Sequence, residues 1–203
     1  MIGIIIQIIT GQKILLLIEV EGMKISVNNM PTETTDVVTY ALLGDSEGFF
    51  SLYKDTDLHK QDEEEKLSLL QYALMGHNLE ICQFLVDQGS ELNKQFSDGS
   101  TELHQVAFLS SRLKSEEDFP KLLKLAEDML QKGADPNLKD KYGNTPLWTA
   151  CHNGRPTGYK LVKLFLKYGA DPDLPMNGDR TPKEVFKMRG GTEDLLRILE
   201  DKA

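Results

Sequence analysis

Residues 140–173 carry a complete set of signals for two short helices bounded by turns. Thr145 suits the N-cap position, because its hydroxyl can accept a hydrogen bond from an unpaired backbone N–H at a helix start. Pro146 then occupies the first helical position, where the N–H that it lacks would have had no partner. Gly154 ends the first helix, and Gly169 supplies the left-handed residue that closes the second. Such a unit is too small to bury a core alone, so the pattern predicts that it stacks on copies of itself.

The same signals recur along the chain at constant spacing. The helix-starting threonines are separated by 44 and then 36 residues, from Thr101 through Thr145 to Thr181. The closing glycines keep the same two spacings, and they are Gly89, Gly133 and Gly169. Because start and stop signals move together, the repeat does not depend on a chance agreement of single glycines.

The motifs at these positions resemble those of ankyrin repeat proteins, whose unit is about 33 residues long. The family's Thr-Pro-Leu-His pattern is found as TELH at 101–104, TPLW at 145–148 and TPKE at 181–184. Its Gly-Ala-Asp-x-Asn pattern is found as GSELN at 89–93, GADPN at 133–137 and GADPD at 169–173. The resemblance covers residues 66–200 and extends weakly back to residue 36. It implies an all-α solenoid of helix–turn–helix units over residues 36–203, with four to five repeats and degenerate terminal caps.

Two of the units are longer than the family's standard length. Ser110–Pro120 supplies about eleven extra residues between the helices of the third unit, and Pro120 is expected to start its second helix. Arg155–Gly158 is a smaller insertion at the same junction of the fourth unit. Both insertions are therefore expected at one edge of the solenoid. The first unit, at 37–53, and the last, at 177–200, are interpreted as the degenerate caps.

Residues 1–35 precede the repeats as an N-terminal extension. Apolar runs at 4–9 and 14–18 flank a Thr-Gly-Gln-Lys turn, which predicts a strand–turn–strand unit. No basic residue precedes the first run, so a signal peptide is not indicated. Lys13 interrupts the apolar stretch short of the roughly 18 residues that a membrane span needs. Residues 24–35 are interpreted as a loose entry segment.

Composition and charge narrow the classes of partner. The chain has 203 residues, 40% hydrophobic and 27% charged, as in ordinary globular proteins of one or two domains. Its formal net charge of −9 argues against nucleic-acid binding, which depends on basic side chains at phosphates. It favours attraction to basic partners.

The two cysteines, Cys82 and Cys151, fall on different repeats with one full repeat between them. Packed helices lie about 8–10 Å apart, whereas a disulfide needs Cα atoms within roughly 7 Å of each other. We therefore expect two buried, reduced thiols, which fits a cytoplasmic setting.

Catalytic motifs are absent from the sequence. Arg189-Gly190-Gly191 lacks the lysine and serine of a phosphate-binding loop. There is no CxxC or HExxH pattern for zinc, and the four histidines lack the spacing of metal ligands. By the family resemblance, His104 braces its turn through hydrogen bonds. The chain is therefore expected to be no enzyme and to bind no metal or cofactor.

The resemblance implies that a protein partner binds the concave side, on the turn tips and the first helix of each repeat. The candidate contacts at the turn tips are Ser97, Asp98, Lys141, Tyr142, Asn144 and Arg180. The candidates on the first helices are Met75, Phe108, Trp148, His152 and Asn153. Trp148 replaces the family's histidine, so it either braces the fold or contacts the partner. Exposed Tyr, Trp and Arg are the residue types that carry most interface energy.

Two functions remain open for such a binding module. One is a bacterial immunity protein that masks a basic toxin, which would need nanomolar affinity, about −12 kcal/mol. The other is an intracellular adaptor or scaffold with several weak partners. In both cases we expect a monomer that binds protein, with no nucleic acid and no membrane as partner.

The start of translation is the subject of a separate hypothesis. Glu19–Gly22 can be encoded by GAG-GTG-GAA-GGA, a purine-rich bacterial ribosome-binding site directly ahead of the codon for Met23. Residues 1–22 would then be untranslated, and we expect the native chain to begin at Met23. N-terminal sequencing of the native protein measures this, and a mature N-terminus at Met1 would contradict it.

Overall fold

The computed structural model describes residues 3–9, 13–20, 23–30, 36–59, 61, 67–113, 115, 117–152, 156–177, 180–188 and 193–200. This part of the chain contains an N-terminal β-sheet followed by ten α-helices. The strands are β1 (Gly3–Ile9), β2 (Lys13–Val20) and β3 (Met23–Met30). The helices are α1 (Val37–Leu43), α2 (Ser46–Leu52), α3 (Leu69–Met75), α4 (Leu79–Asp87), α5 (Glu102–Leu109), α6 (Asp118–Gln131), α7 (Pro146–His152), α8 (Pro156–Lys167), α9 (Pro182–Met188) and α10 (Glu193–Glu200). A short 3-10 helix, Asp55–His59, follows α2.

The helices form five antiparallel pairs that stack side by side in two layers. Within the pairs, α1 packs on α2, α3 on α4, α5 on α6, α7 on α8 and α9 on α10. The first helices α1, α3, α5, α7 and α9 contact one another in that order, and the second helices α2, α4, α6 and α8 do the same. The predicted all-α ankyrin-type solenoid is therefore confirmed for the repeats, with five helix pairs among the described residues.

The core runs between the two layers without interruption. Its fully buried side chains include Phe49, Leu70 and Leu74, Ile81 and Leu85, Leu103, Leu122 and Leu125, Leu147, and Phe165. Each helix pair thus contributes one apolar strip to a common core, as the i, i+3, i+4 spacing of these residues predicts. Burying an aliphatic or aromatic side chain of this kind contributes about 1.5–3 kcal/mol. Because these side chains are buried only where neighbouring pairs meet, a single pair would not be stable alone.

Asparagine side chains join each turn to the next repeat. Asn93 Nδ2 donates to the Gly133 carbonyl at 2.9 Å, and Asn93 Oδ1 accepts from the Asp135 N–H at 2.7 Å. Asn137 makes the same two bonds one repeat later, to the Gly169 carbonyl at 2.9 Å and the Asp171 N–H at 2.8 Å. The final residue of the Gly-Ala-Asp-x-Asn motif therefore links successive repeats through its carboxamide, and we call Asn93 and Asn137 the asparagine ladder.

The turn tips between the pairs are also stacked on one another. The Lys141 N–H donates to the Asp98 carbonyl at 3.0 Å, and Asn177 Nδ2 donates to the Lys141 carbonyl at 3.1 Å. Gly143 has a φ of 81°, and a Cβ there would lie 2.4 Å from the Asn177 nitrogen. A side chain at Gly143 would therefore be strained and would also push the next tip away.

The N-terminal sheet has the strand order β1-β2-β3, with both pairs antiparallel. Ile6 faces Leu16 across the first pair, and Ile18 faces Ile25 across the second. The two predicted strands are present as β1 and β2, and residues 10–12 between them lie outside the described residues. The interpretation of residues 24–35 as a loose segment was wrong for residues 24–30, which belong to β3, and residues 31–35 lie outside the described residues. Ile25 and Val27 give that stretch the alternating β-branched pattern of a strand. It pairs with the edge of β2 that does not pair with β1.

The two insertions begin and end differently from what the sequence predicts. Residues 110–112 form a turn after α5, and α6 begins at Asp118 rather than Pro120. Pro120 fits inside the first turn of α6, because N–H groups there need no helical partner. Pro156–Gly158 belongs to the first turn of α8 rather than to an insertion. Residues 153–155 lie outside the described residues.

The first pair carries more exposed apolar surface than a polar cap would. Phe49 is buried, but Phe50 and Leu52 are 40% and 43% exposed. Gly48 lies inside α2 against the ring of Tyr40. Helix α2 starts at Ser46, because Asp45 caps it: the Asp45 carboxylate accepts a hydrogen bond from the Gly48 N–H at 3.0 Å.

Both cysteines are free and buried, as expected from their spacing. Burial raises the pKa of Cys82 and raises that of Cys151 to about 12, so both thiols are protonated and unreactive at neutral pH. No helix among the described residues combines the length and apolar character needed to cross a membrane.

Glu102 is a buried acid at a position that is proline in the next two repeats, as Pro146 and Pro182. Burial raises the pKa of its carboxyl to about 7, against the opposing effect of backbone N–H groups at Glu102, Asn93 and Lys94. A folded-state pKa above the unfolded value means that its contribution to stability is full in acid and declines as the pH rises toward 7. Glu102 therefore weakens the junction of the second and third repeats most at neutral and alkaline pH.

His104 braces the turn, as the resemblance implies. Its Nδ1 accepts from the Thr101 N–H at 3.0 Å, and its Nε2 donates to the Asn144 carbonyl at 2.9 Å in the next repeat. Gln71 does the same one repeat earlier, accepting from the Ser68 N–H at 2.9 Å and donating to the Lys94 carbonyl at 3.2 Å. Burial lowers the pKa of the His104 imidazole, so the neutral ring is the form that the fold holds.

We predict that His104→Gln removes a pH-dependent part of the stability and keeps both hydrogen bonds. A folded-state pKa below the unfolded value of about 6.5 gives stability that is present above that pH and lost as the pH falls. The free energy of unfolding of the parent should therefore drop more than that of the variant between about pH 7 and pH 5. Urea unfolding at both pH values measures the difference. Glu102 is present in both proteins, so its opposite pH dependence cancels.

His104→Ala is the control, because it removes both hydrogen bonds and leaves buried groups unpaired. It should lower the free energy of unfolding by about 1–3 kcal/mol at either pH. Equal pH dependence in the parent and in His104→Gln would show that the imidazole is not the titrating group.

Candidate functional site

The turns that carry Asp98, Lys141 and Asn177 form one continuous row along an edge of the solenoid, which we call the tip row. Tip-to-tip hydrogen bonds fix the backbone from Asp98 through Lys141 to Asn177. The row therefore brings together three groups of predicted contacts, Ser97 with Asp98, Lys141 with Tyr142, and Arg180. Ser97, Lys141, Tyr142 and Arg180 are exposed, and Asp98 is half-buried.

Tyr142 is the most prominent side chain of this row. It is 61% exposed, and the Lys141 ammonium lies 5.1 Å from its ring centroid. Its N–H is bound by the Asp140 carboxylate at 2.9 Å, so the backbone beneath the ring is fixed. A large aromatic side chain presented from a rigid turn is the kind of residue that anchors protein interfaces.

Two predicted tip contacts serve the fold itself. Asn144 donates from its N–H and its carboxamide to Asp140, at 2.8 and 3.0 Å, and its carbonyl accepts from His104. These bonds use its N–H, its Nδ2 and its carbonyl inside the fold, and its role as a partner contact stays a prediction. The Asp98 carboxylate closes its own turn by accepting from Ser100, at 2.9 Å from the N–H and 2.7 Å from the hydroxyl.

The predicted contacts on the first helices differ in their exposure. Met75 and Phe108 are half-buried, and His152 is exposed. The Arg112 guanidinium lies 4.1 Å from the centroid of the Phe108 ring, so that ring has a cationic neighbour. Asn153 lies outside the described residues.

Trp148 belongs to the core rather than to the surface. It is only 8% exposed, its N–H donates to Thr145 Oγ1 at 3.3 Å, and its ring lies 5.7 Å from that of His152. Its burial favours the alternative that it braces the fold, and its role as a partner contact stays a prediction. The indole takes the place of the brace that Gln71 and His104 provide in earlier repeats.

Sequence reasoning missed a row of carboxylates beside the asparagine ladder. Glu91, Asp135 and Asp171 occupy the same motif position in three successive repeats, and all three are exposed together with Asp173. The Asp135 and Asp171 carboxylates each hold a turn N–H, from Asn137 at 2.8 Å and from Asp173 at 2.9 Å. We call these four residues the acidic row. Aligning the third position of the Gly-Ala-Asp motif would have revealed it.

The described residues contain no group of three or more His, Cys, Asp or Glu side chains that could hold a metal ion. The carboxylates of the acidic row are instead oriented by backbone N–H groups. This surface can attract cations and basic side chains without fixing them in a coordination geometry.

Comparison with known proteins agrees with the architecture. The family model for the ankyrin repeat matches residues 142–177, which span the fourth turn tip and the α7–α8 pair. The two-layer stack, the bracing His104 and the asparagine ladder agree with that match. Residues 142–177 are an ankyrin repeat, and the chain is similar to curated ankyrin repeat proteins, which are generally protein-binding modules.

Several relatives share part of this chain. Over 124 residues, 59% of the chain, it is 34% identical to an ankyrin repeat protein of Rickettsia felis and covers 50% of that protein. Over 62 residues, 30% of the chain, it is 37% identical to an ankyrin repeat protein of Rickettsia bellii and covers 35% of it. Over 101 residues, 47% of the chain, it is 34% identical to human Rabankyrin-5 and covers 9% of it. The chain thus spans half or less of the length of these curated relatives.

We predict that Trp148→Ala destabilises the protein and that Tyr142→Ala does not. Emptying a buried indole site should lower the free energy of unfolding by about 3 kcal/mol or more. Truncating the exposed Tyr142 should change it by about 0.5 kcal/mol at most. Urea unfolding followed by far-UV circular dichroism measures both, since Trp148 is the single tryptophan and its fluorescence would be lost. Equal stability of the two variants would contradict the bracing role of Trp148 and favour its role as a partner contact.

Proposed function

We propose that this chain is a non-enzymatic, monomeric protein-binding module of the cytoplasm, and that its partner binds the turn tips and the concave side beside them. The observation that carries this proposal is Tyr142, a 61% exposed aromatic side chain on a hydrogen-bonded turn. It has no role in the core, and its position in the row is set by the neighbouring repeats.

Rigidity of the tip row supports the same proposal. Association costs about 0.5–1.5 kcal/mol for each side chain that must be ordered at an interface. Here Asp98, Lys141 and Asn177 are already connected by hydrogen bonds between the tips. A partner that binds this row therefore orders little backbone, and more of its contact energy remains as affinity.

We further propose that the partner is basic. The acidic row places exposed carboxylates on three successive repeats, and the formal net charge is −9. Oriented acidic side chains accelerate the encounter with a basic surface and select against acidic ones. An immunity protein that masks a basic toxin is the specific form of this function that the charge pattern favours. An adaptor with several weak partners would not need such a concentration of one sign.

We predict that Tyr142→Ala weakens binding to the partner by about 2 kcal/mol, and that removing charge from the acidic row slows association. Asp135→Asn with Asp171→Asn keeps an acceptor oxygen for each turn N–H and removes only the charge. The partner is captured from native lysate with the full chain, then purified. Stoichiometry, affinity and rate constants are measured by calorimetry and surface plasmon resonance at low and at physiological salt.

The matched control is Asp55→Asn with Glu193→Gln, which removes the same charge from two exposed residues outside the acidic row. It should leave the association rate nearly unchanged. A single basic partner bound 1:1 with nanomolar affinity supports the immunity form, and several substoichiometric partners support the adaptor. Unchanged affinity in Tyr142→Ala would exclude the tip row as the site.

A further inference from the structure

Helix α8 carries a concentration of positive charge in an otherwise acidic protein. Its sequence contains Lys160, Lys163 and Lys167 and no acidic residue. Their i, i+3, i+7 spacing places the three on one side of the helix, over about 10 Å of its length. All three are exposed, in the layer of second helices and therefore away from the first helices. We call these three lysines the basic ridge.

Two grooves run along the basic ridge. The groove between α6 and α8 has a volume of about 510 Å³ and an apolar floor that includes Leu123 and Leu164. The groove between α8 and α10 has a volume of about 320 Å³ and includes Ile198 and Arg197. Lys160 and Lys163 line both grooves. Each groove therefore combines aliphatic side chains with an excess of cations, since each is lined by one carboxylate, Glu127 or Asp194, and by three or more basic side chains.

The two lysines shared by the grooves are available for a partner. Within the described residues, the recorded ion pairs involve neither Lys160 nor Lys163, and Lys160 lies 6.0 Å from the Phe119 ring centroid. Lys167 pairs with Glu127 at 2.8 Å but is 63% exposed, and exposed pairs of this kind contribute little, about 0–1 kcal/mol. An incoming carboxylate would meet two uncommitted ammonium groups.

The net charge of −9 does not cancel this local field. At physiological salt, exposed charges more than about 8 Å apart are largely screened from each other. A ligand in the grooves therefore responds mainly to the charges that line them. These are the cations Lys124, Lys160, Lys163, Lys167 and Arg197, which outnumber the carboxylates Glu127 and Asp194. The distant carboxylates of the acidic row have little influence there.

We propose that the two grooves beside α8 bind an acidic segment of another protein that also carries leucine-like side chains. Carboxylates of such a segment would contact Lys160 and Lys163, and its aliphatic side chains would cover Leu123, Leu164 and Ile198. The apolar floors favour a peptide over a nucleic acid, which has no aliphatic side chains to place there. A ridge of about 10 Å on a chain of net charge −9 is also too short to hold an anionic membrane surface. This surface is separate from the turn tips, so its failure and that of the proposed function are independent.

The test is a selection from a random dodecapeptide phage library on the full chain. We expect the enriched peptides to be rich in Asp and Glu with interspersed aliphatic residues. The affinity of the strongest peptide, measured by fluorescence anisotropy, should fall about tenfold or more for Lys160→Glu with Lys163→Glu. It should also weaken as salt is raised, because the charges involved are exposed.

The matched control is Lys54→Glu with Lys187→Glu, two exposed lysines whose reversal changes the net charge by the same amount. It should alter peptide affinity by about twofold at most. Circular dichroism verifies that both variants are folded. Equal weakening in the two variants, or enriched peptides without excess acidic residues, would overturn the proposal. So would tighter binding of polyadenylate or of phosphatidylserine vesicles than of the selected peptide, since the ridge would then be a general polyanion surface.

Discussion

Burial of each helix pair on its neighbour is the interaction on which the rest of this molecule depends. One pair presents an apolar strip too small to form a core, and Leu70, Leu103 and Leu147 are buried because adjacent pairs meet there. The asparagine ladder and the bracing residues Gln71 and His104 then fix the spacing between repeats. Positions of surface residues thus follow from contacts between repeats, as expected of a quasi-one-dimensional fold.

The same stacking makes surfaces of regular composition. A residue at one motif position recurs at the next repeat, so a single choice of side chain becomes a row. The acidic row arises in this way from Glu91, Asp135 and Asp171, and the tip row from the turns that present Asp98 and Lys141. The basic ridge has a different origin, since its three lysines follow one another along a single helix, α8. Opposite charges are thereby separated onto different parts of one small protein.

Departures from the repeat pattern affect stability more than they affect shape. Glu102 stands where later repeats have proline, and burial of its carboxylate weakens the junction between the second and third repeats as the pH rises. Trp148 replaces the bracing histidine with a buried indole. Both substitutions leave the helix pairs in register, because stacking and the tip hydrogen bonds determine the geometry independently.

The sequence by itself determined the repeats, because their signals are local. Thr145 and Pro146 start a helix and Gly169 closes one through the conformations of neighbouring residues, whatever lies beyond them. The tertiary structure decided which surface residues are free. Asn144 forms hydrogen bonds with Asp140 and with His104 of the preceding repeat. Trp148 is buried. Neither could be read from the sequence, because exposure depends on which groups the adjacent repeat packs against a side chain. The grooves beside the basic ridge likewise depend on tertiary structure, because only the packing of α6 and α10 beside α8 forms them.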